Sequence, residues 1–158
     1  MLASVPVADM ETTMLRHVLQ VLSVLALTCG GIDAEEKKES TDDHKSLQSG
    51  TWLCVEVYDD GKALDKALVQ ALDIRITFAS DGTQTRTSGD DKWTMKWKID
   101  TSKAPKQLDT EDKNGVWRGI YELDGDILKI ARAIPRKDRP MKIEPGKGYG
   151  YSVFKRMK

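Results

Sequence analysis

Two histidines, two cysteines and a scatter of carboxylates are the side chains here that could do covalent or acid–base chemistry. His17 sits in an apolar N-terminal leader, and His44 in the charged stretch that follows it. The domain predicted from residue 47 onward therefore carries no histidine. That removes imidazole acid–base work and Ser-His-Asp triads from it. Cys54 is its only cysteine, so the usual zinc sets are missing as well. Cys54 reads as a small buried hydrophobe rather than a nucleophile. Asp59, Asp60, Asp81, Asp90, Asp91, Asp124 and Asp126 fall at turn positions, where a short carboxylate bonds its own backbone. No calcium-loop spacing is present, and no glycine loop links a strand to a helix to cradle phosphate. Gly146, Gly148 and Gly150 read as a flexible loop. A paired-carboxylate hydrolase has only the abundance of Asp and Glu in its favour. The expectation is a protein that is not an enzyme and needs neither cofactor nor metal.

The charge balance narrows the partners. Lys and Arg number 25, and Asp and Glu number 25. The basic field of a nucleic-acid binder is absent, so none is expected as a partner. What remains is binding through apolar and aromatic side chains, and the elements that would position them.

Before those elements comes a leader, predicted over residues 1–34. From Met14, Arg16 and His17 form a short cationic region, Val18 to Leu27 is apolar, and small residues follow from Thr28 to Gly31. This is the pattern of a secretory signal. Its apolar run is too short for a hydrocarbon core of ~30 Å. Leu25-Ala26-Leu27-Thr28-Cys29 resembles a bacterial lipobox, which would acylate Cys29 and tether the protein to a membrane. Ordinary cleavage near Ala34 is the alternative. The protein is expected to be exported: periplasmic, membrane-tethered or extracellular. Residues 35–46 carry dense mixed charge and no aromatic residue, which predicts a disordered tether.

Residues 47–158 read as short strands broken by turn signals. The first is Thr51 to Tyr58, whose apolar residues do not alternate cleanly, so its inner face stays unassigned. Leu64, Leu68 and Leu72 at spacing four predict one short amphipathic helix. Ile74, Ile76 and Phe78 share a strand face ahead of an Asp81-Gly82 hairpin turn. Thr83 to Thr87 is polar on both faces and is placed at a rim or opening. The clearest alternation follows: Trp93, Met95, Trp97 and Ile99 against Lys92, Thr94, Lys96 and Lys98. The tryptophans are predicted to point inward and the lysines outward. Trp117, Gly119, Tyr121 and Leu123 share a later face, and a three-proline loop from Ile134 to Gly148 precedes a last strand ending at Arg156. The fold class is all-β: an up-and-down antiparallel barrel of about eight strands with one short helix.

Gly50-Thr51-Trp52 at the domain start, with Arg156 on the last strand, resembles the closed end of lipocalin-type barrels. There such a tryptophan packs across the barrel floor under an arginine. The chain from Leu47 to Arg156 is also similar to an uncharacterised, lipocalin-like domain abundant in secreted planctomycete proteins. The residues that carry this are Leu47-x-x-Gly50-Thr51-Trp52, Asp60-Gly61-Lys62, Ile76-Thr77-Phe78, Asp100-x-Ser102-Lys103-x-Pro105-Lys106, Gly119 to Asp126 with Leu128-Lys129, Arg139-Pro140 and Phe154-Lys155-Arg156. The resemblance implies a barrel-like fold and an extracytoplasmic home, and no activity. Two functions follow as expectations. One is a barrel binding a small hydrophobic ligand, lined by Ile76, Phe78, Trp93, Met95, Trp97 and Tyr121. The other is a cell-envelope module with a packed core that binds protein or polysaccharide through its surface. A small barrel is either filled by side chains or left with one small cavity.

Overall fold

Alternation along the strands closes the sheet into a barrel. The computed structural model describes residues 42–158. The leader over 1–34, Cys29 and residues 35–41 of the tether lie outside the described residues. The chain begins with helix α1 over residues 42–48. It continues through β1 (Thr51–Asp59), the two-residue β2 (Lys62–Ala63), helix α2 (Lys66–Leu72), β3 (Arg75–Phe78), β4 (Thr83–Ser88) and β5 (Asp91–Asp100). Then come β6 (Gln107–Asp112), β7 (Gly115–Asp124), β8 (Ile127–Arg132) and β9 (Gly150–Arg156). Every neighbouring pair from β3 to β9 is antiparallel, and β1 pairs with both β3 and β9. Eight strands thus form a closed ring, and β2 is a short flap on β1. Closure removes the exposed sheet edge that invites aggregation.

A β-bulge explains why β1 would not show its inner face in the sequence. Its pairing with β9 slips between Cys54 and Glu56. Before the slip, Trp52 and Cys54 point inward and are buried. After it, Val57 pairs with Ser152 and takes over the inner face. One extra residue reverses the parity of everything beyond it.

On β5 the expected register is present. Met95 and Trp97 are buried, and Lys92, Lys96 and Lys98 are exposed. The helix α2 is where the reading fails. Its N-cap is Asp65, whose Oδ1 accepts from the N–H of Ala67 at 2.8 Å and of Leu68 at 3.1 Å. The cap starts the helix two residues after Leu64 and rotates its buried face to Val69. Leu68, expected inside, is 49% exposed.

One helix was expected, and two are present among the described residues. Residues 42–46, expected as the end of a disordered tether, belong to α1. Leu47 is fully buried in the core, and Asp43 is buried beside it. Tyr121 Oη donates to Asp43 Oδ2 at 2.5 Å, and Lys106 Nζ lies 3.2 Å from the same oxygen. His44 is therefore part of the folded unit, its ring centroid 5.1 Å from that of Trp97. Helix α1 closes one end of the barrel, over Trp52, Trp97 and Tyr121.

Arg156 locks that closed end. Its guanidinium carbon lies 4.2 Å from the centroid of the Trp52 ring. Its nitrogens donate to Asp126 Oδ1 at 2.9 Å, to the Ser46 carbonyl at 2.7 Å, to the Gly125 carbonyl at 3.2 Å and to Ser49 Oγ. Trp52 Nε1 donates to the Leu47 carbonyl at 2.9 Å. The last carbonyls of α1 thus find donors they would otherwise lack. Gly50 makes the link to β1 possible: its φ is +152°, and a Cβ there would sit 3.5 Å from Arg156 Cγ.

The long loop after β8 is packed rather than free. Ile143 and Tyr149 lie on an outer cluster of Ile120, Ala131 and Tyr151. Arg139 forks onto Asp109, Nη1 to Oδ1 at 2.5 Å and Nη2 to Oδ2 at 3.0 Å, and also donates to the Gly119 carbonyl.

Candidate functional site

The core fills the closed half of the barrel and stops short of the other half. Trp52, Phe78, Trp97, Leu108, Tyr121 and Leu128 form the packed part. Phe78 and Trp97 meet edge to face at 5.0 Å. Toward the opposite end a cavity of about 380 Å³ opens. Ile74, Ile76, Ile130, Phe154, Val57 and Leu64 give it apolar walls. Gln84, Arg86, Trp117, Arg132 and Ser152 bring polar groups into the same space, with Asp59 also in the wall.

Strand periodicity puts those polar groups inside. Gln84 and Arg86 follow Phe78 and Ile76 across the β3–β4 ladder, so they share the inner face. On β8 the inward series Leu128, Ile130, Arg132 ends in a cation at the open end. Strands β4 and β8 are four steps apart in a ring of eight, so Arg86 and Arg132 stand on opposite walls.

Neither arginine forms an ion pair with a described residue. Each is held by an indole instead. The guanidinium carbon of Arg132 is 5.1 Å from the Trp117 ring centroid, and that of Arg86 is 5.8 Å from Trp93. An aromatic face steadies a guanidinium without neutralising it. Arg132 donates one hydrogen bond, Nη1 to Thr110 Oγ1 at 3.3 Å. Arg86 Nε is buried without a partner, as is Gln84 Oε1, whereas the buried Trp117 Nε1 is directed at the Asp112 carboxylate. Buried polar atoms ordinarily have partners, so two such orphans around one cavity mark it off from the rest of the interior.

Burial is the larger cause that pulls the Arg132 guanidinium down to about 10, and the like charge of Arg86 adds to it. Arg132 stays charged at neutral pH. Asp112 is the carboxylate felt by Arg132, but its oxygens are engaged in its own turn. Oδ1 accepts from Asn114 N–H at 2.8 Å and Oδ2 from Asn114 Nδ2 at 3.2 Å. Burial pushes the Asp112 carboxyl up, and the donors of its turn, with the nearby Trp117, pull it below its ordinary value. Cys54 also borders the cavity, and burial pushes its thiol up to about 11. It is no nucleophile at neutral pH.

Of the six side chains expected to line a pocket, Ile76 borders this cavity. Phe78, Trp97 and Tyr121 belong to the packed half, and Met95 is buried outside the lining. Trp93 is 46% exposed at the open rim, under Arg86. Strand β5 outruns the core there, its first four residues all being exposed. The polar residues of the site, Gln84, Arg86, Trp117, Arg132 and Ser152, were not picked out from the sequence. A signal existed, because Arg86 and Arg132 each continue an inward-facing alternation that began with uncharged residues.

No family model and no curated protein matches the sequence. Among solved structures, the fold is similar to the crystal structure of a DUF4847 family protein from Bacteroides vulgatus. Identity is 19% and the TM-score 0.45, over 73% of this chain and 98% of that one.

Among the described residues, no helix is long and apolar enough to cross a membrane, and no group of side chains is placed to hold a metal ion.

Proposed function

We propose that this protein is an exported binding barrel that holds a small molecule in the open half of its interior. One observation carries the reading: a 380 Å³ cavity whose walls combine apolar side chains with polar atoms that have no protein partner. Ligand pockets are built in this way, largely apolar with a few convergent polar groups. The volume corresponds to about a dozen water molecules at ~30 Å³ each, the size of a small organic ligand. Binding without transformation fits the chemistry within reach. The Cys54 thiol is held protonated, and His44 packs at the closed end against Trp97. Export rests on the signal-like pattern of residues 14–34. A lipid on Cys29 would add a membrane tether.

Uptake of the neutral dye N-phenyl-1-naphthylamine tests the pocket. About one dye per protein should bind with enhanced emission, and Ile130→Trp, which fills the wall, should abolish uptake in a protein that still unfolds cooperatively. A folded wild-type protein that takes up no dye would end the pocket reading.

A further inference from the structure

Two guanidiniums facing one small cavity are an expensive arrangement. Each loses hydration, and like charges on opposite walls repel. Among the described residues nothing offsets this with an ion pair. The indoles of Trp117 and Trp93 lie 5.1 and 5.8 Å from the guanidinium carbons of Arg132 and Arg86, and an indole face supplies no lone-pair acceptor for their N–H edges. Those edges are the part of arginine that matches a carboxylate. Arg86 Nε is one such donor, buried and unpartnered.

Charge and register narrow the ligand further. The cavity wall holds two cations and one carboxylate, Asp59, which is exposed. Within the wall itself positive charge exceeds negative by one, with Asp112 acting on Arg132 from outside the lining, and an anionic group suits that wall. Ile130 lies one inward-facing step deeper than Arg132 on β8. Phe154 lies deeper again, since it pairs with Leu128. Below the arginines the wall is therefore largely apolar, with Gln84 and Ser152 as its polar exceptions. The Gln84 amide, turned over, would present its NH₂ where Oε1 now stands.

Building on the pocket reading, we infer that the ligand is an amphipathic carboxylate, its head between Arg86 and Arg132 and its apolar body directed toward Ile130 and Phe154. The pair of arginines is then a selectivity device. It admits an anion with an apolar tail and rejects its neutral counterpart, because a neutral head would leave the guanidiniums unpaired.

Calorimetric titration of the full chain with octanoate and with 1-octanol separates the possibilities. The two share a tail and differ in charge. Octanoate should bind at least tenfold more tightly. In Arg132→Met and in Arg86→Met, each checked for cooperative unfolding, the ratio should fall to about one. Equal affinities of the wild-type protein for the two would overturn the carboxylate inference and leave the pocket standing. Binding of neither, up to millimolar concentration, would overturn both. A preference for octanoate that survives both substitutions would place the anion site elsewhere and refute this one.

Discussion

Removing the charge of Arg132 should make the empty protein more stable. The guanidinium is sunk in the wall, opposed by Arg86, and rewarded by one 3.3 Å hydrogen bond and an indole face. Arg132→Met keeps much of the volume and removes a buried charge whose desolvation is unfavourable. Denaturant unfolding without ligand should show a higher midpoint. A loss of stability would mean that the charge is already compensated within the protein. Cys54 makes a second prediction at this scale. Its thiol pKa is raised from 9.0 to about 11, mainly by burial. Between those values the unfolded chain loses its proton while the folded one keeps it, so the folded state binds more protons and stability falls as pH rises. The loss is on the order of 3 kcal/mol, absent below pH 9 and complete by about pH 11. Unfolding of Cys54→Ala should lack that alkaline component. If both proteins lose stability in parallel, the thiol is not the cause.

At the scale of elements, much was legible and the failures have identifiable causes. The β5 register could be read because Trp93 to Ile99 alternates with three lysines, and burying the lysine face instead would cost far more than exposing the tryptophans. The inner face of β1 could not be read, because the bulge after Cys54 breaks the period. The buried face of α2 was misjudged because Asp65 caps the helix after Leu64 and turns Val69 inward. Helix α1 was invisible for a different reason. Its seven residues are mostly charged or polar, and an isolated helix of that length is not stable. It forms on tertiary partners: Tyr121 and Lys106 for Asp43, Arg156 for the Ser46 carbonyl and Trp52 for the Leu47 carbonyl. Trp52 is the hinge of that set, fully buried and stacked by Arg156. Trp52→Ala should cost about 3–5 kcal/mol. Asp43→Ala should cost about 1–3 kcal/mol by stripping a buried acceptor from Tyr121. Chemical denaturation checks both. An Asp43→Ala protein as stable as the wild type would show that α1 contributes nothing to closing the barrel.

For the whole molecule, the closed ring of eight strands was foreseeable from turn spacing and alternation, whereas the cavity was not. A pocket depends on which inward-facing layers leave space, and that is a property of side chains from six or more strands at once. Phe78, Trp97 and Tyr121 lie inside, as their strand faces suggest, but in the packed core rather than along the cavity. They fill the closed half beneath α1, and the open half is left to Arg86, Arg132 and their apolar neighbours. The division fits a barrel in which one end carries stability and the other carries recognition. The most direct measurement of that division is a crystal structure of the protein grown with 8-bromooctanoate, with the bromine located by its anomalous scattering. The account predicts the carboxylate within hydrogen-bonding distance of Arg86 and Arg132, about 2.7–3.0 Å, and the bromine deep in the barrel near Ile130 and Phe154. Bromine found only outside the barrel, or seated inside with the carboxylate away from both arginines, would contradict it.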